Sequence, residues 1–176
     1  AGEHDAEARA HAAQTRDLGV AACGAPAPAP LFAQGFEDAA TPWSRPSGGS
    51  GGTFPGNSLR TVFVPQTGAV RDFYVRVPPQ YDATRAWPVV VALHGAGGAG
   101  TAPTAANAVR SIWSASADAN AFVVLAPIAS GASGGWDPAG DTYAIRAALA
   151  DLESAYNVER SREYLWGYSA GGHFGH

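Results

Sequence analysis

The run Pro88-Val89-Val90-Val91-Ala92-Leu93 contains no polar residue, and it constrains the fold of this chain more than any other feature. A strand with one wet face alternates apolar and polar side chains, so a strand without alternation must be covered on both faces. Phe122-Val123-Val124-Leu125-Ala126 repeats the pattern, and Tyr164-Leu165-Trp166 is a shorter case. Between these runs the apolar period changes. Ala105, Ala108, Val109, Ile112 and Trp113 recur at helical spacing, as do Ile145, Ala148, Leu149, Leu152 and Tyr156. Asp141 reads as the N-cap of the second helix and Asn157 as its C-terminal stop. Buried strands alternating with amphipathic helices make βαβ units, hence an α/β fold with a mostly parallel sheet flanked by helices. Ahead of them, Thr61-Val62-Phe63-Val64 and Phe73-Tyr74-Val75-Arg76-Val77, separated by Gln66-Thr67-Gly68, predict an antiparallel hairpin.

The first third of the chain has a different character. Residues 1–14 are Ala-rich with mixed charges and read as a short helix at most. Residues 23–57 hold six of the thirteen prolines and the run Ser47-Gly48-Gly49-Ser50-Gly51-Gly52. Such a segment loses more chain entropy than its apolar surface can offset. Residues 1–57 are therefore expected to be a largely unstructured leader or linker lying over the domain surface, with the folded domain spanning 58–176.

Composition removes several function classes. The eleven basic residues are all arginine and scattered, and the net charge is −4, so neither nucleic acid nor an anionic membrane surface is an expected partner. No apolar run is long enough for a transmembrane helix. Methionine is absent and Cys23 is the single cysteine, read as a free thiol or one whose partner lies outside this sequence.

Two glycine-rich motifs carry the chemistry. Gly167-Tyr168-Ser169-Ala170-Gly171 follows the Tyr164-Leu165-Trp166 strand and has the form G-x-S-x-G. In a strand–turn–helix context, small neighbours let a strained turn lift the serine above the sheet edge. His94-Gly95-Ala96-Gly97-Gly98 follows the strand 89–93, where glycines free backbone N–H groups to face a substrate carbonyl. It fits neither a Walker loop nor a full dinucleotide fingerprint, and there is no lysine to meet a phosphate. Ser169 is thus the candidate nucleophile, with Ala170 and either Ala96 or Gly97 as backbone oxyanion donors. Trp136 and His94 are candidates for contact with substrate. For Trp136 a core or surface role stays open, and His94 reads as a loop-shaping residue rather than a general base.

Arg71-Asp72-Phe73-Tyr74-Val75-Arg76-Val77-Pro78, Tyr81-Asp82, Trp87-Pro88 and the two motifs together resemble secreted polyhydroxybutyrate depolymerase-like and feruloyl-esterase-like enzymes. The resemblance runs from about Leu59 to His176. It implies the α/β-hydrolase fold, carboxylic ester hydrolysis through an acyl-enzyme on Ser169 with no metal or cofactor, a small-molecule or polymeric ester substrate, and secretion. A serine peptidase of the same fold, or a non-catalytic binding module built on it, satisfies the same two motifs.

In this fold the catalytic acid and then the histidine follow the serine. Only Ala170-Gly171-Gly172-His173-Phe174-Gly175-His176 follow Ser169 here. His173 and His176 are expected to lie along the helix that leads away from the site, and Asp137 and Asp141 precede the serine. The expectation is therefore an N-terminal part of a catalytic domain, truncated after the nucleophile elbow and inactive alone.

Overall fold

In the computed structural model, residues 44–52 and 55–176 are described. The readings of a helix over 1–14 and of Cys23 lie outside those residues.

The hairpin forms as the sequence suggests, from β1 (Gly56–Val64) and β2 (Ala69–Val77) paired antiparallel. β1 starts at Gly56, five residues before the Thr61 that opens the apolar strand run in the sequence. β3 (Trp87–Leu93) follows, then helix α1 (Ala102–Asn120), β4 (Val123–Pro127), helix α2 (Pro138–Ala155), β5 (Val158–Gly167) and the short helix α3 (Ala170–Gly175). The sheet order is β1-β2-β4-β3-β5, with β2–β4 antiparallel and both β4 and β5 parallel to β3.

All seven residues of β3 and all five of β4 are buried, which is the burial that their missing alternation demands. Val89, Val91, Leu93, Val123 and Leu125 pack on one face with Ala148 and Leu152 of α2. Val90, Ala92 and Val124 pack on the other with Val109 and Ala117 of α1. Each such valine or leucine contributes about 1.5–3 kcal/mol by leaving water. The stripe of α2 is close to the one read from its sequence, with Ala144, Ala148, Leu152 and Ala155 buried.

The stripe of α1 is rotated from its expected position. Ala102, Ala106, Val109, Arg110 and Ala117 are buried, whereas Ile112 is 70% exposed and Ala108 exposed. Alanines spread over more than half the circumference of this helix, so the sequence offers little contrast there and packing chooses the face. β5 is also longer than the Tyr164-Leu165-Trp166 core that marks it. Its pairing with β3 jumps from Trp87↔Val158 to Val89↔Glu163, so the polar residues 159–162 fall within the register shift, where Glu159 bridges Pro46 instead.

The caps of α2 differ from expectation as well. Asp137, not Asp141, is the N-cap, accepting the N–H of Ala139 at 3.2 Å, with Pro138 opening the helix. Tyr156 is the C-cap, one residue before Asn157. Asp141 lies inside the first turn and is buried.

Residues 44–52 run beside the start of β5. Pro46 forms an antiparallel bridge with Glu159, Ser47 N–H donates to the Val158 carbonyl at 2.8 Å, and Arg160 N–H donates to the Arg45 carbonyl at 3.0 Å. The buried Glu159 carboxylate accepts from the Ser44 hydroxyl, the Arg45 N–H, and both the N–H and the hydroxyl of Ser161.

Candidate active site

Because β3, β4 and β5 are parallel, the loops that leave them emerge at one edge of the sheet. In open α/β sheets that carboxyl edge is where ligands bind. It brings together the loop after β3, the loop 128–137 after β4, and the turn at Tyr168 and Ser169.

The turn after β5 is tight for reasons visible in the glycines. A Cβ at Gly167 would stand 2.5 Å from the backbone of Gly171, and one at Gly171 would stand 2.7 Å from the His94 carbonyl oxygen. Only hydrogen at these two positions lets α3 pack back on β5 and β3. Tyr168 N–H donates to the Leu93 carbonyl at 3.0 Å, and Gly171 N–H to the Tyr168 carbonyl at 2.9 Å. Between them Ser169 adopts φ 52° and ψ −120°, a conformation that costs a non-glycine residue of order 1–3 kcal/mol. The strain leaves the Ser169 side chain exposed on the rim.

Ser169 and Ala170 line an open depression of about 540 Å³ together with Ala96, Ser133, Gly135, Trp136, Pro138, His173 and Phe174. Of the two alternative donors on the loop after β3, Ala96 is on this wall. Gly97 is not, and packs toward Thr101. As the first helical residue, Ala170 carries an N–H that has no partner inside the helix.

Trp136 lines the depression and is pinned at both ends. Its Nε1–H donates to the His94 carbonyl at 2.8 Å, and its ring stacks on Phe174 at 5.0 Å and 20°. His94 lies one layer deeper, wholly buried, 4.9 Å from the Trp136 ring. Its Nε2 accepts the Ala129 N–H at 3.2 Å, so the proton sits on Nδ1, which donates to the Gly95 carbonyl at 2.9 Å. Burial pushes this imidazole below its ordinary pKa, outweighing the opposing influence of the Gly95 carbonyl and of Asp141. The ring is a neutral loop brace that does not reach the depression.

His173 corrects the sequence expectation. It lines the depression, because residues i and i+4 share a helix face and Ser169 stands four residues before it. Its Nδ1 lies 3.3 Å from the Ser169 main-chain carbonyl rather than against the hydroxyl. His176 is exposed at the chain end and Phe174 completes the aromatic wall. Among the described residues, no histidine hydrogen-bonds the Ser169 hydroxyl, and no His/Cys/Asp/Glu group could hold a metal ion. No described helix is long and apolar enough to cross a membrane.

Sequence patterns miss Phe174, Ser133 and Asp141. A short-range signal existed only for Phe174, an aromatic in the first turns of the nucleophile helix.

No protein-family model and no curated protein matches the sequence. Solved structures do match. A thermostable esterase aligns at 26% identity and TM-score 0.57, over 67% of this chain and 36% of its own. A ferulic acid esterase aligns at 20% identity and TM-score 0.52, over 68% and 52%. An acetyl xylan esterase from Aspergillus awamori aligns at 20% identity and TM-score 0.51, over 66% and 44%. The chain thus spans between about a third and a half of the length of these structures. These neighbours are esterases, and the chain shares with them the α/β-hydrolase fold, of which its five-stranded mixed sheet and flanking helices form a part.

Proposed function

We propose that this chain carries the nucleophile and oxyanion donors of a secreted serine carboxylic-ester hydrolase. The observation that supports it best is the strained, exposed Ser169, set on one depression with Ala170 and Ala96. In this reading the Ser169 hydroxyl attacks the ester carbonyl while a histidine takes its proton, a histidine that the described residues do not supply. The N–H groups of Ala170 and Ala96 bind the oxyanion of the tetrahedral intermediate. The alcohol departs, and water then cleaves the acyl-enzyme. Trp136 and Phe174 offer an apolar wall to the acyl group, in keeping with a feruloyl-type or hydroxyalkanoate ester.

A fluorophosphonate probe, applied to a protein in which that histidine is also supplied, tests the reading, because it reports the activated nucleophile without presuming the substrate. Mass spectrometry is expected to find the adduct on Ser169, and Ser169→Ala is expected to abolish it. Absence of any adduct on Ser169 with that histidine supplied would overturn the esterase reading. Hydrolysis of a hydroxybutyrate oligomer against a feruloyl ester then separates the acyl classes.

A further inference from the structure

The Asp141 carboxyl group is 1% exposed, and each of its oxygens meets two donors. Oδ1 accepts from Arg71 Nη2 and from the Ser130 hydroxyl at 2.7 Å. Oδ2 accepts from the Ser130 N–H at 3.0 Å and the Asp137 N–H at 2.8 Å. Four donors saturate what a carboxylate can accept. Ser130 lies near the start of the loop 128–137 and Asp137 at its end, so one side chain staples that loop shut. Arg71 also donates to the Ile128 carbonyl at 3.3 Å, fixing the end of β4 to the same point.

The stapled loop in turn holds the loop after β3. The Ser133 carbonyl accepts the Gly98 N–H at 3.0 Å, and Trp136 Nε1–H donates to the His94 carbonyl at 2.8 Å. Between those points Gly135 faces Ala96 so closely that a Cβ on it would lie 3.2 Å from the Ala96 methyl. Contacts at His94, Ala96 and Gly98 thus bracket the backbone that presents the Ala96 N–H.

We propose that Asp141 is the positioning residue for the oxyanion loop, acting through residues 130–137. The name of that loop rests on the esterase reading above, but the mechanical coupling does not. Asp141 touches no reacting atom. It sets where the Ala96 N–H stands relative to Ser169, and a donor misplaced by about 1 Å can lower the rate of the chemical step on the order of 100-fold.

Asp141→Asn tests this on the full chain, since it keeps the shape but turns a donor toward donors. Two readouts are taken at a temperature where circular dichroism shows the variant folded. The first is hydrogen exchange at the Gly98 amide relative to the Val90 amide of β3, a ratio from which global stability cancels. The Gly98-to-Val90 ratio is expected to rise about tenfold or more. The second is fluorophosphonate labelling of Ser169 with the activating histidine supplied, expected to slow by about 10- to 100-fold. Ser130→Ala, which removes one donor of four, is expected to show both effects in smaller degree. It also serves as the test if Asp141→Asn does not fold. An unchanged Gly98-to-Val90 ratio in the folded variant overturns the proposal. If wild-type Ser169 never labels even with that histidine supplied, the esterase reading fails, and the exchange ratio alone still decides whether Asp141 positions the loop.

Discussion

Two buried carboxylates, Asp141 and Glu159, stand at opposite ends of the parallel strands and solve one problem in different ways. Each is 1% exposed, and each gathers N–H and hydroxyl donors from distant segments. Asp141 has the Arg71 guanidinium against it and organises the loops at the carboxyl edge. The partners described for Glu159 are the hydroxyls of Ser44 and Ser161 and the N–H groups of Arg45 and Ser161. They tie residues 44–47 to the start of β5, far from Ser169 in the fold. Burial alone would raise the Glu159 pKa, but these hydrogen bonds outweigh it and hold the group at about 2. The comparison teaches that a buried acid is not by itself a sign of chemistry. What it staples decides whether it bears on function.

Removing the Asp141 side chain breaks that comparison most severely. Asp141→Ala leaves Arg71 partly buried without its partner and frees both ends of the loop, a loss expected to reach about 3–5 kcal/mol in urea unfolding. Glu159→Gln is expected to cost about 3 kcal/mol at neutral pH, with the Gly98 exchange ratio unchanged. The pH dependence has a definite sign. The folded pKa lies below the ordinary 4.5, so the stabilisation by Glu159 is complete above that value and is lost as pH falls toward 2. The stability gap between wild type and Glu159→Gln should therefore close on acidification across that window, and a pH-independent gap would contradict the hydrogen-bonded carboxylate. The smallest effect sharpens the picture. Ser44→Ala removes one donor to Glu159 and is expected to cost about 1 kcal/mol, with faster exchange at the Ser47 amide and none at Gly98.

Local patterns made much of this molecule legible. Unbroken apolar runs marked β3 and β4, because a strand covered on both faces has no use for polar side chains. The glycines of 94–98 and 167–171 marked the two loops, because a backbone packed against another backbone excludes Cβ. The stripe of α2 was readable because leucine and tyrosine contrast with their neighbours. That of α1 was not, since an alanine-rich helix can be turned several ways at little difference in burial, and Ile112 ended outside.

The site was legible only in part for the same physical reason. Ser169, Ala170 and the loop carrying Ala96 are specified by the conformations their own backbones must adopt, which sequence encodes locally. The sequence by itself therefore determined the α/β class, the order of the motifs and the strained turn. Tertiary structure alone decided that Asp141 staples a loop instead of capping a helix, that Ala96 rather than Gly97 lines the depression, and that His173 and Phe174 share its wall. Those facts depend on which loops the parallel strands carry to one edge, and a hydrogen-bond partner seventy residues away leaves no periodic trace in the chain.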